Sequence, residues 1–113
     1  MSGNWVLPKT SNFWSTPVSI TLSTTGVTVL GVTVPSNNTY VLTEITLTNL
    51  GSGATYVTIY SGDNIVLDSI EVAAESTVVW YGTRVMNSTE VLKAKTSSVT
   101  GGSTLISASG IKS

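Results

Sequence analysis

From Thr16 onward the chain alternates apolar and hydroxyl-bearing residues with a period of two. Val18, Ile20 and Leu22 are separated by Ser19 and Thr21, Ile45 and Leu47 by Thr46, and Val57 and Ile59 by Thr58. Successive side chains on a strand point to opposite faces, so this pattern buries one face of a sheet and wets the other. Thr is β-branched and polar and suits the wet side of a pleated surface. Ser and Thr together make up about a third of the 113 residues. No window of eleven or more residues carries a sustained apolar repeat of 3.6, so no helix is predicted.

Turn-forming clusters interrupt the alternation at short, regular intervals. They include Thr24-Thr25-Gly26, Pro35-Ser36-Asn37-Asn38, Gly51-Ser52-Gly53, Ser61-Gly62-Asp63-Asn64, Ala73-Ala74-Glu75-Ser76, Asn87-Ser88-Thr89 and Gly101-Gly102. The predicted strands cover 17–23, 27–34, 39–49, 54–60, 64–72, 76–81, 83–86, 90–96 and 104–111, with some expected to merge. Many short strands between such turns predict an all-β, antiparallel β-sandwich of jelly-roll-like type. Apolar parity flips twice, from Val27 and Val29 to Leu30, Val32 and Val34 beside Gly31, and from Ile65 and Leu67 to Ile70 and Val72. Each flip requires a bulge, a bend or a strand that crosses between sheets.

Residues 1–15 differ from the rest and read as an extended, non-regular N-terminal arm ahead of one sandwich domain over 16–113. The arm concentrates Trp5, Val6, Leu7, Phe13 and Trp14 around Pro8. A ring buries roughly 150–250 Å² when packed, so such an arm must fold back on its own domain or dock on a partner. Those five residues are the candidate partner-binding set, because aromatic anchors dominate interface energetics. Trp80-Tyr81 is a second candidate. Neighbours on a strand face opposite ways, so one of the two is expected to be exposed and able to stack on a sugar or a partner chain.

The reactive inventory is short. The chain has no Cys and no His, so thiol nucleophiles, disulfides, zinc clusters and Ser–His–Asp relays cannot be built. Four of the six acidic residues, Asp63, Asp68, Glu71 and Glu75, fall within one stretch. They follow no calcium-loop spacing and read as solvated turn and strand residues rather than a glycosidase pair. Lys93 and Lys95 share a strand face, which is expected to guard a sheet edge. A net charge of −1 with one Arg gives too little basic surface for nucleic acid. No catalytic, metal or cofactor residue is assigned, and no enzyme is expected. Met1-Ser2-Gly3-Asn4-Trp5 has neither the basic nor the apolar region of a secretory signal, and no apolar run is long enough to span a membrane.

The run Tyr40-Val41-Leu42-Thr43-Glu44-Ile45-Thr46-Leu47-Thr48-Asn49-Leu50 is followed by Gly-Ser-Gly and then by Ala54-Thr55-Tyr56-Val57-Thr58-Ile59-Tyr60. A Ser61-Gly62-Asp63-Asn64 turn, a Val-rich strand after Ala73-Ala74-Glu75 and the Asn87 turn complete the layout. This order of strands and turns resembles small all-β virion proteins of tailed bacteriophages, over about two thirds of the chain. The resemblance implies a structural subunit made in the host cytoplasm and located in the virion. It implies a capsid decoration (cement) protein bound to the major capsid protein or neighbouring virion subunits, and a homo-oligomer, with a trimer favoured. It carries no residue-level function. The alternative it implies is a neck, tail or tail-fibre module that binds host-surface glycan through Trp80, Tyr81, Tyr56 and Tyr60.

Overall fold

A computed structural model describes residues 13–16 and 19–112. The alternation predicts strands, and nine are present among the described residues: β1 (Phe13–Ser15), β2 (Ile20–Thr21), β3 (Thr28–Thr33), β4 (Tyr40–Asn49), β5 (Thr55–Ser61), β6 (Asn64–Val72), β7 (Ser76–Met86), β8 (Val91–Thr96) and β9 (Thr104–Lys112). No helix occurs among the described residues, so none is long and apolar enough to cross a membrane.

The strands form two antiparallel sheets. One has the order β1-β9-β4-β7, with β2 also paired to β9; the other has the order β3-β8-β5-β6. Pairing is nested: β2 with β9, β3 with β8, β4 with β7, and β5 with β6, each successive pair lying in the other sheet. The chain is thus one long hairpin folded over on itself, closed laterally by β9–β4 and β8–β5.

The inward faces make the core. Leu42, Ile45, Leu47, Met86 and Ile106 from the first sheet meet Leu30, Val57, Ile59, Val72 and Leu92 from the second, all fully buried. Burial alternates along β5 and most of β9, as the Thr spacing requires. Three inward polar residues, Thr55, Thr96 and Asn49, are buried and hydrogen-bonded. Thr55 and Thr96 share a hydroxyl contact, and the Thr55 hydroxyl donates to the Ser98 carbonyl at 2.8 Å.

Both sequence irregularities correspond to register shifts. β3 shifts against β8 between Val29 and Thr33, around Gly31, which adopts φ +79°. In that left-handed region a Cβ would be strained. β6 shifts against β5 between Leu67 and Ile70, at Ser69 with φ +51°, and again between Ile65 and Leu67.

Several expectations need correction. Val27 and Val29 are exposed, and the buried residues are Leu30 and Val32 of β3 and Val34 just after it. The predicted strands 76–81 and 83–86 are one strand, β7, and of the described residues within 17–23 only Ile20–Thr21 form a strand. Phe13–Ser15, placed by sequence in the arm, pair with β9. β4 carries a further shift at Thr43 that the turn pattern does not predict, although buried Leu42 and Ile45 stand an odd three residues apart. Lys93 and Lys95 lie on β8, an interior strand between β3 and β5, so they guard no edge.

Candidate functional site

The two outward faces differ in chemistry. On the β3-β8-β5-β6 sheet, the row Val29–Lys93–Tyr60–Ile65 runs beside Lys95 and Thr58. The Thr58 hydroxyl donates to Asp68 at 3.3 Å, and the Tyr56 hydroxyl approaches Glu71 at 3.5 Å. Val29 and Ile65 are exposed on this face, but Lys93 and Tyr60 separate them, and cations, carboxylates and hydroxyls interleave around them.

The outward face of the other sheet carries an uninterrupted apolar row. Phe13 on β1 is in register with Ile111 on β9, Ile111 with Val41 on β4, and Val41 with Val85 on β7. Strands lie roughly 4.8 Å apart, so four apolar side chains stand side by side over about 15 Å. Phe13 is 51% exposed, Ile111 48% and Val85 54%. Further along β7, beyond Gly82 and Thr83, Val79 and Tyr81 are also exposed, the latter 72%. The next row, Ser109–Glu44–Tyr81, holds one carboxylate. Isolated apolar side chains are ordinary on a protein surface, whereas a contiguous band marks a contact surface.

Trp14 anchors one end of this surface from beneath. It points inward from β1, is buried, and stacks on Tyr40 with ring centroids 6.1 Å apart and planes 14° from parallel. Its partner across the ladder is Gly110, where a Cβ would fall 2.7 Å from the indole. The ring thus occupies the space left by the missing side chain, which fixes β1 on β9 and presents Phe13 outward. The indole N–H of Trp14 is buried without a hydrogen-bond partner.

The sequence-predicted candidates separate. Trp5, Val6 and Leu7 lie outside the described residues. Trp14 packs within its own chain, and of the predicted set only Phe13 is described as exposed. Trp80 points inward from β7 and is half-buried against the core. Its indole lies over Gly82, where a Cβ would collide with the ring, and the Arg84 guanidinium sits 5.8 Å from the ring centroid. Tyr81 is exposed on the first sheet, whereas Tyr56 and Tyr60 lie on the outward face of the second. The four rings considered for glycan stacking are therefore spread over three surfaces. Val41, Val85 and Ile111 escaped sequence reasoning. Their signal was an apolar residue next to a buried neighbour, as in Val41-Leu42 and Val85-Met86, where one of the two must face outward.

The carboxylates do not converge. Asp63 and Glu75 sit in the turns at opposite ends of β6. Glu90 is instead a tie between turns. Its carboxylate accepts hydrogen bonds from the Asn87 backbone N–H at 2.7 Å, the Ser61 hydroxyl at 2.9 Å and the Asn64 amide at 3.0 Å. The Asn87 N–H above all holds its pKa below the ordinary value; burial opposes it, and the Ser61 and Asn64 hydrogen bonds lower it further. No group of three or more Asp, Glu, His or Cys placed to hold a metal occurs among the described residues. Shallow depressions flank β1 and β9, lined by Phe13, Ser15, Thr43 and Ser109 among others. Comparison with protein-family models and with curated proteins finds no match.

Proposed function

We propose that this chain is a non-catalytic structural subunit of a virion, a decoration protein that binds a shell through protein–protein contacts. The observation that carries this reading is the apolar row Phe13–Ile111–Val41–Val85 with Tyr81, on one sheet face only. The opposite face also exposes Val29 and Ile65, but Lys93, Lys95, Asp68 and Glu71 stand among them, which suits the side turned to water. A row of rings and branched side chains on a rigid sheet binds by shape and desolvation, with little ordering cost. Copies arrayed on a shell act together, so each contact can be weak.

The nested strand pairing supports a jelly roll, in which eight strands pair first with last inward through both sheets; that architecture serves viral shells and lectins alike. Because fold alone does not assign function, the surface chemistry decides between those uses. Scattered aromatic rings do not favour sugar stacking; the compact apolar row favours protein. The layout resemblance to phage virion proteins agrees with this choice. The proposal includes the major capsid protein or neighbouring virion subunits as partners, and self-association. The test is co-purification of wild type and Val85→Asp with intact particles. Wild type is expected in the particle fraction and the variant depleted from it. Absence of the wild type from particles refutes the reading.

A further inference from the structure

A sheet edge offers unpaired backbone N–H and C=O groups, and natural proteins blunt such edges with short strands, Pro, charges or bulges. This fold has four edges. The β1/β2 edge consists of a three-residue and a two-residue strand, with Pro17 between them in sequence. β3 is broken by the left-handed Gly31 and its register shift. β6 bulges at Ser69 and carries Asp68 and Glu71 outward. β7 differs. It is the longest strand, with eleven residues, and its only charge is Arg84. From Ser76 to Tyr81 it keeps unbroken register with β4. That run, Ser-Thr-Val-Val-Trp-Tyr, has no charge, Pro or Gly, which is the composition of a strand that recruits another strand. No described strand pairs with its free side.

We infer that the Ser76–Tyr81 edge of β7 pairs antiparallel with the same edge of a second copy, joining two first sheets into one continuous sheet across a two-fold axis. The occupant follows from the comparison of edges. A ring of three or more needs two different open edges on each copy, and only one is open among the described strands, whereas a two-fold contact uses the same edge twice. A two-fold axis normal to the sheet pairs residues of the same face, and the contact is assigned with Val79 on the axis, opposite Val79 of the second copy. Every register within the run then opposes uncharged residues, and no like charges meet. The pairing also brings together the exposed apolar residues of both copies, because Val79 lies on the axis and Tyr81 beside it on the outward face. The inference rests on the sheet edges and not on the virion reading, and it replaces the expected trimer with a dimer.

The test uses the purified full chain. Sedimentation equilibrium of wild type is expected to give the dimer mass, with Val79→Lys raising the dissociation constant by roughly 100-fold or more through paired lysines at the axis. Val79 is exposed, so the variant should keep the wild-type circular dichroism spectrum. Because the chain has no Cys, single-cysteine variants give a second readout. Oxidised Val79→Cys should run as a disulfide-linked dimer, and Ile65→Cys on the blunted β6 edge should not. The cross-link decides if Val79→Lys fails to fold. A monomeric or trimeric wild type overturns the inference. So does a dimer that survives Val79→Lys, or cross-linking of the Ile65→Cys variant without cross-linking of Val79→Cys.

Discussion

Asn49 closes β4 with its side chain fully buried and all its hydrogen-bonding capacity turned onto backbone. Its amide donates to the carbonyls of Gly53 at 2.8 Å and Val72 at 3.1 Å, and its oxygen accepts the Gly51 N–H at 2.9 Å. Asn49→Leu strands these groups, and each buried unpaired group costs about 1–3 kcal/mol. Denaturant unfolding should show at least that loss. Asn49→Asp sets a carboxylate against the same carbonyls, so its deficit should be largest near neutral pH and shrink as pH falls through the carboxylate range. Glu90 behaves in the opposite sense. Its folded pKa lies below the unfolded one, so its contribution is complete above the unfolded value and is lost as pH falls through the folded value. Wild type should therefore exceed Glu90→Gln in stability near pH 7, and the two curves should converge in acid. The sequence marked Asn49 as the end of a strand and Glu90 as the start of one, just after the Asn87-Ser88-Thr89 turn. Neither role was legible, because both depend on carbonyls and hydroxyls that other turns bring within reach.

At the scale of elements, period-two spacing located β4 to β9 closely, since a half-buried strand must alternate whatever it packs against. It misplaced the first strands, where β1 and β2 exist through pairing with β9 rather than through their own pattern. Trp14 seats β1 by filling the space above Gly110, so Trp14→Ala should lower stability by about 3–5 kcal/mol, as for other large-to-small changes at aromatic core sites. Trp14→Phe should cost much less, because it keeps a ring and removes the buried N–H that has no partner. Gly31→Ala places a Cβ at φ +79° and should destabilise by about 1–2 kcal/mol. The bulge there was visible as a parity flip beside a glycine. The shift at Thr43 was equally visible in the Leu42-to-Ile45 spacing, though a uniform run of Thr and apolar residues disguises it. Register across strands was not legible at all, and with it the row that carries the proposed contact.

For the whole molecule, the consequence of the fold is an asymmetry between its two faces. A chain without Cys or His has few groups that titrate near neutral pH or oxidise, and of its described charged residues only Glu44, Arg84 and Lys112 lie on the first sheet, the rest being on the second sheet and in turns. The first sheet is left with an apolar row across four strands and one unblunted edge. Both are means of holding other protein surfaces, one face-on and one side-on. The measurement that reaches this claim most directly is a particle-binding assay that compares wild type with Val85→Asp on the apolar row and Lys95→Asp on the opposite face. The account predicts that wild type and Lys95→Asp stay with intact particles while Val85→Asp is released, all three being folded. Retention of Val85→Asp with loss of Lys95→Asp would place the contact on the other sheet and contradict it.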